Sequence, residues 1–528
     1  MPKQDRNYAL LLVIMAAAIV RLFSLHGGLP ELVYVDGFKF VNDAREMVSS
    51  GDLHPRSFQN PGLFTYLLAA SYKLTGAESD YACYLIARLW SALFGIALVL
   101  LTYIGARQLT RKAGALTAAS LAACSLVLVS YSRLPVSDIM LACFMLACVV
   151  TLLRKNLGLK AFALAGVFTG LAVGAKFSGL FLLPFGVMVI LLRAYQSGDK
   201  IPLAGGLTAL GLCACATFIL TTPWILVSYS DYWGRFAQEL HGQSFGQIGR
   251  VQLGYFDYLV SHTPTWEQPW LGTSILANEG IAILIAAGIA AVAALSFRFG
   301  YAPAVHALFV IIYLALVSQP GHLKAIRFVA PVLPSLFILC GWLAGLLLDQ
   351  KRSPGRFLAH IAFGLILLAY PLYRTTGYLA STSGTATNVH ARSWLSANVP
   401  ANATLVLSPF FINSLDGVTD TTIYLSGANL LQYRMPGNAS ANSELSPLFH
   451  SGLLDEFRAR GVDYYVANSW FEGAYAAVDD NLRWFPISVK SYSSFRQALQ
   501  RETELVFTIR GFEEGRPGPD IHIYRLTP

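Results

Sequence analysis

Long apolar stretches recur from Tyr8 to Tyr373, and no other feature of the sequence constrains the fold so tightly. Eleven are read, near 8–25, 82–104, 114–130, 138–153, 161–175, 177–194, 202–227, 273–297, 303–318, 328–349 and 357–373. A bilayer core of about 30 Å is crossed by about 20 helical residues, which these lengths approach. The stretches are continuous rather than alternating, so they suit helices and not the strands of a barrel. Only 13% of the 528 residues are charged and 55% are hydrophobic, against about 25% charged in soluble domains. The expected fold class is a polytopic α-helical membrane protein of about eleven transmembrane helices, with a soluble α/β region after them.

Lysine and arginine in the short loops set the orientation. With the N-terminus inside, the inner loops hold Arg107, Arg111 and Lys112; Arg154, Lys155 and Lys160; Arg193 and Lys200; Arg298; and Lys351, Arg352 and Arg356. The net charge of +8 is therefore an orientation signal and not a nucleic-acid footprint. Arg21 is followed by further apolar residues with no small-residue cleavage site, so the first stretch is expected to be a retained span and not a signal peptide. An odd number of spans then puts the C-terminus on the extracytoplasmic side of a membrane expected to be a bacterial inner or plasma membrane.

Two outer loops are long, near 27–81 and 228–272. In the first, Phe40, Ala44, Met47 and Val48 share one helical face and predict a helix lying at the membrane surface. The second is rich in aromatics, including Tyr229, Tyr232, Trp233, Trp266 and Trp270, as headgroup-level segments often are. After Arg374 the composition becomes that of a soluble protein. The chain is divided at 1–375 and 376–528, and the latter reads as an α/β domain. Its expected helices are 391–398, 453–460 and 495–502, and its expected strands 404–407, 462–467, 504–509 and 521–525.

The seven cysteines lie in or beside apolar spans, without zinc-site spacing to histidines, and read as small core residues. Charges beside a bilayer are costly unless paired or solvated, so those on the outer side draw the functional reading. Asp36 and Lys39 open the first loop, with Asp43 behind them. Arg133 and Asp138 flank the turn between the third and fourth spans. Lys176 ends the fifth, and His322, Lys324 and Arg327 precede the tenth. Each has an ordinary alternative: Lys176 or Arg327 as a snorkelling residue, Asp138 as a helix N-cap, Asp36 as a solvated loop carboxylate, and His322 as a lone histidine. Topology nonetheless brings all four groups to one surface. A carboxylate there can orient or deprotonate a hydroxyl, while lysine and arginine can hold a phosphate and stabilise it as a leaving group.

Four segments carry a resemblance. "VDGFKFVNDAREMVSSGDLHPRSFQNPGLFTYLLA" (35–69), "SYSRLPVSDIMLACFML" (130–146), "GLAVGAKFSGLFLLP" (170–184) and "GHLKAIRFVAPVLPSLFILCGW" (321–342) resemble, in this order, motifs of the GT-C glycosyltransferases. The likeness is to the branch of protein O-mannosyltransferases and aminoarabinose transferase, glycosyltransferase family 39. It covers roughly residues 8–350 and implies inverting transfer from a polyprenyl-phosphate sugar donor to a lipid, glycan or protein acceptor outside the membrane. By position it implies Asp36 as the catalytic carboxylate acting on the acceptor. Lys39, Arg133, Lys176 and Arg327 would bind the donor phosphate, and Asp138, Asp43, His322 and Lys324 would support them. No cofactor is implied, and a divalent metal is not indicated. In one place the chain departs from the pattern, since Gly37 stands where a glutamate usually follows the aspartate. A polytopic transporter or lipid flippase is the alternative reading. It would place charges or broken helices near mid-membrane.

Overall fold

A computed structural model describes residues 8–30, 34–55, 60–155, 158–197, 203–243, 248–261, 270–348, 354–408, 415, 418–425, 449–475 and 485–526. Lys200, Trp266, Lys351 and Arg352 lie outside these. The helices in chain order begin with α1 (Tyr8–Leu22), α2 (Val35–Ser50), α3 (Leu63–Thr75), α4 (Asp80–Leu109), α5 (Lys112–Cys124), α6 (Leu126–Ser132) and α7 (Asp138–Leu152). Next come α8 (Leu159–Ala175), α9 (Leu182–Ser197), α10 (Leu203–Thr221), α11 (Tyr229–Gln243), α12 (Asp257–Val260), α13 (Ile275–Glu279) and α14 (Ile281–Leu295). The series ends with α15 (Tyr301–Val317), α16 (Leu333–Leu348), α17 (Pro354–Ser381), α18 (Thr387–Asn398), α19 (Leu453–Ala459), α20 (Ser469–Glu472) and α21 (Pro486–Glu502).

Every apolar stretch of the sequence is helical, but the lengths are unequal. Among the described residues, four segments are long and apolar enough to cross a membrane: Asp80–Leu109, Phe177–Tyr195, Leu203–Thr221 and Leu358–Ser381. A fifth appears if α5 and α6, bent by 54° at their junction, are one span. The other apolar helices run to only 10–17 residues. The bend has a local cause. Ser125 ends α5 in an extended conformation and its hydroxyl accepts from Leu128 N, starting α6 as an N-cap. The buried Glu279 carboxyl of α13 accepts from Ser125 Oγ at 2.6 Å and from Val127 N at 3.4 Å, covering donors at the start of α6.

Close packing fixes the end of α8. At Gly166 and Gly170 an added Cβ would stand 2.4 Å from Leu210 O and 2.5 Å from Ala214 O, both on α10. Only glycine allows this approach. Lys176, the residue after α8, is therefore held by two helices in contact.

The predicted surface helix is α2, with Phe40, Ala44 and Met47 buried and Val48 37% exposed at the edge of the buried face. Three further helices described in the long loops, α3, α11 and the short α12, had no sequence expectation. The first follows the Pro61–Gly62 break, and it buries Phe64, Leu68 and Tyr72.

Residues beyond α17 form a five-stranded sheet: β1 (Thr404–Leu407), β2 (Thr421–Tyr424), β3 (Tyr464–Asn468), β4 (Glu504–Ile509) and β5 (Ile521–Arg525). Their order is β2-β1-β3-β5-β4, parallel across β2, β1 and β3 and antiparallel at β3–β5 and β5–β4. Alternation along the strands splits the core. Leu405, Leu407, Tyr464 and Val466 face α18, while Val406 and Tyr465 face an aromatic cluster of Phe449, Phe457, Tyr492 and Phe495. Ile248 and Val251, from the loop after α11, belong to that second cluster. Strand β2 lacked a sequence expectation, and α21 begins nine residues before the expected 495 (495 − 486 = 9), at Pro486, whose fixed φ suits a first helical turn.

Candidate active site

Asp36 lies in the first turn of α2, where a carboxylate complements the helix dipole. Arg327 lies in a single 3₁₀ turn, Ile326–Val329, just before α16. The two meet in a short ion pair between Arg327 Nη1 and Asp36 Oδ2. The same nitrogen donates to the Tyr34 hydroxyl at 3.1 Å. The Arg327 side chain is 13% exposed and that of Asp36 is 37% exposed, so the pair is held from below and open above.

A second ion pair lies alongside. Lys176 Nζ stands 2.8 Å from Asp138 Oδ1, with both side chains largely buried. Asp138 is the first residue of α7, and its carboxylate turns to Lys176; Ser137 holds the cap position. The Phe328 ring joins the two pairs. Lys176 Nζ is 5.1 Å and Arg327 Cζ 5.7 Å from its centroid, both within cation–π range.

Burial pushes the Asp36 carboxyl up, but the cations Arg327, Arg250 and Lys39 outweigh it and hold the group at about 2. Burial lowers Arg327, yet Asp36 and its neighbours carry it well above the usual arginine value. Burial also raises the Tyr34 hydroxyl and lowers Arg250. Asp36 is therefore ionised at neutral pH.

The remaining predicted residues divide. Lys39 and Asp43 sit three and seven positions after Asp36 (39 − 36 = 3; 43 − 36 = 7) on the same side of α2. Lys324 pairs with Asp257 at 3.5 Å, and Asp257 also accepts from Leu253 N. His322 gives its carbonyl to Gln252 N at 2.8 Å, and burial lowers its imidazole. Both belong to a short antiparallel bridge, Val251↔Leu323, which carries Arg250 to the site. Arg133 points elsewhere. It is 5% exposed and donates to the carbonyls of Val20, Arg21, Phe23 and Ser24 at the end of α1, and it lies over the Tyr378 ring.

Tyr34, Arg250 and Phe328 were not singled out from sequence. Tyr34 and Phe328 each neighbour a candidate. Arg250 could have been found only through its pairing with the segment before Arg327. Among the described residues, no group of three or more His, Cys, Asp or Glu side chains gathers as metal ligands would.

Residues 8–232 match the family model of dolichyl-phosphate-mannose-protein mannosyltransferases. The match spans 225 of the 528 residues (232 − 8 + 1 = 225), and over that region the chain is similar to the glycosyltransferases of this family. It contains Asp36, Lys39, Asp43, Arg133, Asp138 and Lys176, whereas His322, Lys324 and Arg327 lie beyond it. A comparison with curated protein sequences gives no match. The oligosaccharyltransferase AglB of Archaeoglobus fulgidus, in complex with an inhibitory peptide and a dolichol-phosphate, superposes with TM-score 0.60 at 12% identity, over 91% of this chain and 72% of that one. ArnT of Cupriavidus metallidurans in the apo state gives 0.56 at 16% identity over 98% of each chain. ArnT bound to undecaprenyl phosphate gives 0.52 at 14% identity, again over 98% of each. At such identities the likeness is one of fold, and the fold is GT-C.

Proposed function

We propose that the chain moves a sugar from a polyprenyl-phosphate donor to an acceptor hydroxyl or amine at the extracytoplasmic face of the membrane. The carrying observation is that the Asp36–Arg327 and Asp138–Lys176 pairs, drawn from four distant segments, meet over Phe328. The undecaprenyl phosphate bound by ArnT and the dolichol-phosphate bound with AglB support the donor class. In this reading the N-terminus is cytoplasmic, the eleven apolar helices cross the membrane and the five-stranded sheet stands outside.

In the reaction, the acceptor attacks the anomeric carbon and the carbon–oxygen bond to the phosphate breaks. Polyprenyl phosphate leaves with the bonding electrons, and the acceptor proton passes to the Asp36 carboxylate. Lys176, Arg327, Lys39 and Arg250 supply positive charge for the phosphate, where it is most useful as the leaving group forms. An apolar cleft lined by Val173, Phe177, Leu180, Phe218, Trp233 and Phe236 opens beside Lys176 and suits the first isoprene units. A carboxylate titrating near 2 is a poor base at neutral pH. A donor phosphate competing for Arg327 loosens its hold on Asp36, and the carboxylate becomes more basic as the donor binds. Arg133, engaged with the end of α1, is left out of the phosphate set.

The test is transfer by the full chain in lipid nanodiscs. Radiolabelled polyprenyl-phosphate sugars are supplied one at a time, with crude envelope lipid, glycan and protein as acceptors. Asp36→Asn should lose transfer by about 100-fold or more, while still binding polyprenyl phosphate as read by tryptophan quenching. Undiminished transfer by this variant refutes the role of Asp36. Silence with every donor, together with lipid or sugar movement across vesicles, points to a transporter.

A further inference from the structure

Helix α2 lies against the turn that leads into α7, and the contact falls between the residues that carry the two carboxylates. A Cβ built on Gly37 would stand 2.3 Å from Pro135 Cγ, 3.2 Å from Pro135 Cδ and 3.1 Å from Pro135 O. Both residues are buried. Gly37 adjoins Asp36, and Pro135 lies three residues before Asp138. The turn has little room to withdraw: Val136 N donates to Leu134 O at 2.8 Å, and Ser91 Oγ donates to Val136 O at 3.2 Å. Further along the same face α2 is anchored by Phe40, Val41 and Ala44, all buried in the main core. A side chain at position 37 must therefore push the start of α2, and Asp36 with it, away from the turn.

We infer that Gly37 is a positioning residue: its bare Cα lets Pro135 seat against α2, which sets the spacing between the Asp36–Arg327 pair and the Asp138–Lys176 pair. The inference rests on the role proposed above for Asp36. The two ion pairs are joined twice, by Phe328 between the cations and by the Gly37–Pro135 contact between the carboxylate-bearing segments. A glutamate at position 37 has no space, so the site works with a single carboxylate at the head of α2. Asp36 is then the carboxylate that orients the acceptor at the head of α2.

The experiment compares Gly37→Ala, Pro135→Ala and the double variant with wild type in the nanodisc assay, using the polyprenyl-phosphate sugar that supports transfer. Displacing reacting groups by about 1 Å costs about 100-fold in rate. Gly37→Ala should accordingly lower kcat by about 10-fold or more while donor KM changes by less than about threefold. The acid limb of its pH–rate profile should move to higher pH, because Asp36 drawn away from Arg327 titrates closer to an ordinary aspartate. Removing the proline ring in Gly37→Ala/Pro135→Ala should return both kcat and the acid limb toward wild type. If Gly37→Ala fails to fold, recovery of folding and turnover in the double variant carries the same information. Wild-type turnover by Gly37→Ala overturns the inference, as does a loss that the double variant leaves unrescued. Persistent transfer by Asp36→Asn would instead overturn the reading of the catalytic carboxylate itself.

Discussion

Two arginines, Arg327 and Arg133, occupy opposite situations less than one helix turn from the same α1–α2 connection. Arg327 meets a carboxylate, a phenol and an aromatic ring, and its partner Asp36 is more than a third exposed. Arg133 is sunk among backbone carbonyls at the end of α1, where the last turn leaves acceptors without helical partners. Both are expensive cations beside a membrane. One is satisfied by groups that cannot leave, the other by a side chain that an incoming anion can displace. That contrast separates architecture from chemistry in this molecule better than charge alone does.

The largest effect should come from the exchangeable side. Asp36→Asn is expected to reduce transfer by about 100-fold or more with folding intact, and a variant that unfolds instead would move Asp36 into the architectural class. Next is Lys176→Gln. It leaves the Asp138 carboxylate buried without its partner, a situation that costs about 3–5 kcal/mol. Both a fall in thermal stability and a rise in donor KM are expected, and a change in stability without one in KM would remove Lys176 from the phosphate set.

Arg133→Gln should show the reverse profile. Stripping donors from several carbonyls is expected to cost about 1–3 kcal/mol of stability, while transfer per folded molecule stays within about twofold. Loss of transfer at unchanged stability would return Arg133 to the donor site. The smallest effect is acid dependence. The Asp36 carboxyl is depressed to about 2 from its ordinary 3.8. Its contribution is present above about pH 4 and is lost as pH falls toward 2. Melting in detergent across that window should show a fall that Arg327→Gln lacks.

What the sequence revealed follows distance along the chain. Helix α2 was legible because Phe40, Ala44 and Met47 repeat at helical spacing, and the strands after α17 because their apolar runs are short and bounded by turns. The expectation that Asp36, Lys176 and Arg327 share one surface came from reading the apolar stretches and the basic loops between them, and the structure brings the three residues together. The α5–α6 bend was not, because the Glu279 carboxylate that caps it lies 154 residues from Ser125. Arg250 was hidden for the same reason, since its place depends on a strand bridge to Leu323. Gly37 could be seen as a departure from a pattern. What it accommodates, the ring of Pro135, required coordinates.

That strand bridge has a mechanical side. Ile248 and Val251 are keyed into the aromatic cluster beneath the five-stranded sheet, while the backbone of Arg250 and Gln252 is laced to Gly321, His322 and Lys324, three to six residues ahead of Arg327. The sheet is thus tethered to the turn that presents Arg327, as a lid is to its hinge pin. Cutting the chain after α17 would strip two apolar anchors of their cover and slacken the strap that holds the arginine's turn at its station, so the sheet is part of the site's rigging.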